Sequence, residues 1–127
     1  MDGFFRNAGC DEHIIRETEL ILGRPFPASY IKFMRLSNGG EGFIGERYVS
    51  LWRCEDVPQY NRDYGIRKYL TEEFIAFGTD GGGEGYCFDH RRPGEPQVVR
   101  FALSSLDVDD IIREAETFEE FIRELPL

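Results

Sequence analysis

The sequence predicts an α+β domain in which helices stand apart from an antiparallel sheet. Two stretches near the N-terminus, 11–22 and PASYIKFMRLSNGG (27–40), repeat apolar residues at helical spacing. Three apolar runs between residues 74 and 103 follow one another through links too short for parallel crossovers, so they form an antiparallel meander. Thr117 followed by Glu120 is a helix-start pattern, and one apolar stripe comes after it.

In chain order, DEHIIRETELIL (11–22) is the first expected helix, with Asp11 as its cap and Ile14, Thr18, Ile21 and Leu22 on one face. Gly23 stops it, with Pro25 and Pro27 just beyond. Pro27 can open a second helix, since a missing N–H costs nothing in the first turn. Tyr30, Phe33 and Met34 share its face, with Ile31 beside them, and Asn38-Gly39-Gly40 closes it through residues that tolerate left-handed backbone. RYVSLW (47–52) favours a strand. Residues 53–73 are polar and irregular, with Tyr60, Tyr64 and Tyr69 interspersed, and suit a short helix or an ordered loop. The meander is FIAFG (74–78), GYCFDH (85–90) and QVVRFAL (97–103). In its second run Tyr86 and Phe88 point to one face, Cys87 and Asp89 to the other. IIREA (111–115) fits strand or helix, and the last helix carries Phe118, Phe121, Ile122 and Leu125 as one buried stripe.

Composition narrows the class. The 127 residues suit one domain, 1–127, and contain no repeat, linker or low-complexity tract. Eleven Phe, six Tyr and one Trp can fill a real core and argue against disorder. Fifteen basic against 24 acidic residues give a net charge of −9. Such a chain is repelled by nucleic-acid phosphates and by anionic membranes. Its natural complement is a basic protein, although negative charge also serves plain solubility. Cys10, Cys54 and Cys87 form no CxxC and read as reduced thiols of a cytoplasmic protein. Residues 1–10 lack the apolar region of a secretory signal, and no apolar run approaches the roughly 20 residues that span a bilayer.

The residues that could carry chemistry form no coherent set. Gly78 and Gly83 have the separation of a phosphate-binding loop, but Glu84 and Gly85 stand where Lys and Ser or Thr belong. Strands flank the loop on both sides, so no helix N-terminus faces a phosphate. Gly78, Gly81, Gly82, Gly83 and Gly85 instead read as a structural glycine turn in a tight hairpin. Asp80, Glu84 and Asp89 are the right types for a hard cation, but their spacing matches no calcium loop. Asp89 and His90 are strand neighbours and point apart, and neither His13 nor His90 has a metal-ligand spacing. Cys54 or Cys87 with a histidine would need a thiol-enzyme signature that the chain lacks. No catalytic residue, metal or cofactor is therefore expected. Segment 103–127 holds eight acids against Arg113 and Arg123, so it carries most of the net charge. It is either a solvated helix face or a docking face for a basic partner.

Taken in order, these segments resemble the SUKH superfamily, which includes bacterial immunity proteins and yeast regulators of cell-wall assembly. The resemblance runs over 25–125: PASYIKFMRLSNGGEGF closing on Asn38-Gly39-Gly40, YVSLW with Glu55-Asp56 behind it, FIAFGTDGGGEGYCFD, PQVVRFAL and EAETFEEFI. It implies a bent, mostly antiparallel sheet with helices around it and a shared scaffold without an active site. It also implies a cytoplasmic protein that binds and blocks a cognate toxin, basic if the toxin acts on nucleic acid. The alternative within the family is a scaffold or regulator, and outside it a small hydrolase or ligand-binding domain on the 78–90 hairpin. Candidate partner-binding residues are Glu55, Asp56, Tyr60, Tyr64, Asp80, Glu84, Asp107, Asp109 and Asp110. Segment 53–69 is the expected selector of the partner.

Overall fold

Apolar side chains on both faces make the three runs between 74 and 103 into strands, and three further strands join them on one flank and one on the other. The structure is a computed structural model and describes residues 3–123. In chain order the elements are β1 (Phe4–Arg6), α1 (Glu12–Leu22), α2 (Ala28–Leu36), β2 (Gly40–Ile44), β3 (Arg47–Leu51), α3 (Val57–Tyr64), α4 (Ile66–Tyr69), β4 (Phe74–Thr79), β5 (Glu84–Asp89), β6 (Gln97–Ala102), β7 (Ile112–Ala115) and α5 (Phe118–Phe121). Single 3-10 turns occupy Cys54–Asp56 and Val108–Asp110. The strands lie side by side in chain order, and every neighbouring pair is antiparallel. The long connections carry the helices: α1 and α2 between β1 and β2, α3 and α4 between β3 and β4.

The inner face of the sheet packs against α1, α2 and α5. Tyr30 and Phe33 of α2 meet Phe77, Phe88, Phe118 and Phe121 in one aromatic core. Tyr30 stands edge-on to Phe88 at 5.2 Å and to Phe118 at 5.1 Å, the geometry that aromatic quadrupoles favour. On the outer face a second core joins Phe74, Ala76, Cys87, Val99 and Phe101 to Ile66 and Leu70 of the α4 region and to Leu106. Tyr86 and Phe88 thus lie in the first core and Cys87 in the second, as alternation requires. Asn61 pins α3 to β4. Its amide donates to Val57 O and Ala76 O and accepts from Ala76 N–H, so a fully buried amide has every partner it needs.

Several expectations change. The buried face of α1 is Ile15, Thr18, Glu19 and Leu22, whereas Ile21 is exposed and Ile14 only partly covered. Glu19 is inside because its carboxylate accepts the Phe26 N–H at 2.6 Å and the Arg16 guanidinium at 3.0 Å. Asp11 holds the cap position but its side chain makes no capping bond. Pro27 is the cap of α2 and not its first helical residue, and α2 closes on extended Ser37 before Asn38-Gly39-Gly40 is reached. Gly39 takes the left-handed φ expected of it, at 77°, and also serves close packing: a Cβ there would lie 2.5 Å from Leu51 O.

β1 and β2 were not expected. β2 reads GEGFI, with glycines where strand residues normally stand. Those glycines face inward, and a Cβ on Gly42 would run into the backbone of Gly3 and Phe4. Residues 53–73 fold as a 3-10 turn and two short helices, and 112–115 is a strand. Thr117 caps α5 by accepting the Glu120 N–H at 3.1 Å. The return bond of a capping box goes to Glu116 N–H instead, and α5 is a single turn. Leu125, expected on its stripe, lies outside the described residues.

Candidate functional site

The helices and the 103–111 segment cover the outer face of the sheet over β4–β6 but leave it open over β1–β3. Register decides what is displayed there. Phe5 pairs with Glu41, Glu41 with Ser50 and Ser50 with Thr79, all on the outer face, and Phe43 pairs with Tyr48 one row away. Phe5 is 65% exposed and Phe43 is 54% exposed, values far above those of the core. Phe43 and Tyr48 meet edge-on at 5.5 Å, and the Tyr48 hydroxyl donates to the Glu41 carboxylate.

α3 extends this surface. Asp56, Tyr60 and Tyr64 recur every fourth residue and so share one helix face. Trp52, leaving β3, lies 4.6 Å from the Tyr60 ring and 6.1 Å from the Tyr64 ring, nearly parallel to the latter. Phe5, Glu41, Ser50, Trp52, Asp56 and Tyr60 line an open groove of about 280 Å³. The result is a wing of six aromatics, four of them exposed, with Glu41, Asp56 and Arg53 along its groove. Exposed aromatics of this density are the usual anchors of protein interfaces.

The expected partner-binding residues divide into three places. Asp56, Tyr60 and Tyr64 belong to the wing, whereas Glu55 does not line its groove and is held by Asn38. The Asn38 side-chain amide donates to Glu55 at 2.8 Å and holds that carboxyl below its ordinary pKa. Asp80 and Glu84 sit on the hairpin that joins β4 to β5, whose Gly81 lies against the Tyr48 ring. Asp80 is occupied by its own turn, accepting the N–H groups of Gly82 and Glu84 at 2.8 and 3.0 Å. Glu84 pairs with Arg100 at 2.8 Å, and Arg100 pairs in turn with Glu114 at 2.9 Å. Asp107, Asp109 and Asp110 lie beyond β6 on a 3-10 turn, where Asp107 accepts the Asp109 N–H. Sequence reading missed Phe5, Glu41, Phe43, Tyr48 and Trp52 as members of this surface. The signal for most of them was the two-residue Gly45-Glu46 link, a hairpin between two short runs.

The glycine loop is a hairpin, as expected, but its five glycines do different jobs. Gly81 and Gly83 adopt positive φ, at 78° and 107°. Gly78 and Gly85 are buried in strands where a Cβ would meet Ser50 O and the Phe101 ring, and Gly82 has room for one.

Asp80, Glu84, Asp89 and His90 share no cavity. The Asp89 carboxylate is gripped by Arg91 through three bonds of 2.8–3.2 Å. Burial raises its pKa, yet Arg91 outweighs burial and holds it below the usual carboxylate range. His90 is pushed down to about 4 by burial and by the charge of Arg24, with Arg67 adding to it and Asp89 opposing. Cys10, Cys54 and Cys87 are free and buried, and burial pushes Cys54 up to about 12. Among the described residues no group of three or more His, Cys, Asp or Glu is placed to hold a metal ion. No helix among them is long and apolar enough to cross a membrane.

No curated protein is similar enough to count as a relative. The sequence profile of the SMI1 / KNR4 family (SUKH-1) matches residues 9–124, nearly the whole chain and all but the first strand of the sheet. The chain belongs to the SMI1 / KNR4 family (SUKH-1).

Proposed function

We propose that this protein acts without catalysis, as a cytoplasmic immunity protein that binds and neutralises a basic, nucleic-acid-acting toxin. The observation that carries this reading is the open wing over β1–β3. It offers Phe5, Phe43, Tyr60 and Tyr64 to solvent and sets Glu41 and Asp56 along the groove beside them. Apolar anchors bury well in an interface, and acids at the rim steer a basic partner into it. The net charge of −9 adds long-range attraction of the same sign.

Co-expression with a candidate cognate toxin tests the proposal. Growth should be rescued by the native chain and much less by a Tyr60→Ala, Asp56→Ser variant that still folds. A toxin that kills equally in the presence of the native chain would refute the pairing. Several weak, non-toxic partners in its place would make the protein a scaffold or regulator.

A further inference from the structure

On the other side of α3 from the aromatic wing lies a second groove, of about 410 Å³. Its floor is Ile21, Leu22 and Pro58, and its charged lining is Arg62, Arg67 and Lys68. No carboxylate lines it, in a chain with 24 acids against 15 bases. Arg62 is tied to Gln59 at 2.9 Å, and Lys68 lies over the Tyr69 ring at 5.3 Å.

Arg67 has neither kind of partner. Its Nε is out of reach of solvent and makes no hydrogen bond. Burial lowers its pKa, Glu72 attracts it only through space, and Arg24 repels it. A planar guanidinium has five N–H donors in a fork that fits carboxylate and phosphate oxygens. Only the Nε is covered: the residue as a whole is partly exposed and lines the groove, where its terminal N–H groups can meet an acceptor. Arg24 and Arg67 both bear on His90, so the positive field extends behind the groove.

We propose that this groove binds a small oxyanion, phosphate or carboxylate, carried on an apolar stem. Arg67 supplies the principal donors, Arg62 and Lys68 flank the anion, and Ile21, Leu22 and Pro58 receive the stem. The site is separate from the wing, so it stands or falls independently of the immunity reading.

The test is an NMR titration of the full chain at fixed ionic strength with phenyl phosphate, benzoate and inorganic phosphate. Saturable shifts confined to residues 21–24 and 57–70 and to the His90 ring are expected with phenyl phosphate, benzoate or both, which tells phosphate from carboxylate recognition. Inorganic phosphate should bind more weakly because it lacks the stem. Arg67→Lys keeps the charge but loses the fork, and should weaken binding about tenfold, equivalent to ~1.4 kcal/mol. Arg113→Gln, remote from the groove, should leave it unchanged. Shifts that grow linearly and scatter over all basic residues would overturn the proposal. So would undiminished binding by Arg67→Lys and by Arg67→Gln, each shown to be folded by its spectrum.

Discussion

At the scale of single residues, burial and local partners decide what each charged group can do. His90 takes up a proton near pH 6.5 when unfolded but near 4 in the fold, because burial and Arg24 disfavour its cation. Between those values the unfolded chain holds more protons. Stability is therefore complete above pH 6.5 and is lost as pH falls toward 4. The side chain is only partly buried, so solvent screening reduces the effect to ~1–2 kcal/mol. Urea unfolding at pH 7.5 and 4.5 should show His90→Gln losing less stability on acidification than the native chain. Equal losses would mean that His90 does not carry this term. Such roles are invisible in a list of residues. The sequence displays Asp80, Glu84 and Asp107 as three more acids, but not that Asp80 is used by its own turn, Glu84 by Arg100 and Asp107 by a 3-10 cap. Charge can be counted from sequence, whereas its availability depends on backbone that only folding brings near.

At the scale of elements, the β3–β4 junction is the narrowest part of the sheet. It rests on Ser50 with Thr79 and Leu51 with Gly78, plus the Trp52 N–H donating to Phe77 O at 3.1 Å. Gly78 lets the strands approach, since a Cβ there would collide with Ser50 O. Gly78→Ala should cost about 2 kcal/mol or more by overpacking, while Gly82→Ala should fall within about 0.5 kcal/mol of the native chain. Denaturant midpoints of the two variants check this, and a harmless Gly78→Ala would contradict the packing account. The strands that could be read were β3 to β6, since RYVSLW was also recognised as a strand. β4, β5 and β6 were legible because their side chains alternate and both faces are buried. α2 was legible because Tyr30, Phe33 and Met34 form an uninterrupted stripe. β1 and β2 were not, since β1 spans only Phe4–Arg6 and β2 uses glycines on its inner side. α1 was placed correctly, with Thr18 and Leu22 buried as expected, but Ile15 and Glu19 complete its inner face in place of Ile14 and Ile21, because a buried Glu19 satisfied by Phe26 N–H looks like a surface residue in sequence. The candidate site suffered from the same gap: Tyr60, Tyr64, Glu55 and Asp56 were singled out, but β1 and β2, which complete their surface, were not.

At the scale of the whole molecule, sheet coverage and charge point in one direction. Helices and loops close the inner face and half of the outer face, and leave β1–β3 bare with its aromatics exposed. The acidic C-terminal segment is partly neutralised within the fold, with Glu114 on Arg100 and Glu116 on Arg113, so a count of its charges overstates what it offers a partner. The wing, with Asp56 and Glu41 along its groove, is the more economical docking surface. The most direct measurement is a pull-down from the host lysate at low and at moderate salt, with the native chain and with folded Tyr60→Ala as paired baits and stoichiometry read by mass spectrometry. The account predicts one stoichiometric basic partner on the native chain, held less well as salt rises, and bound about 30-fold more weakly by Tyr60→Ala, a hot-spot loss of ~2 kcal/mol. A partner retained equally by both baits, or no stoichiometric partner at either salt, would contradict it.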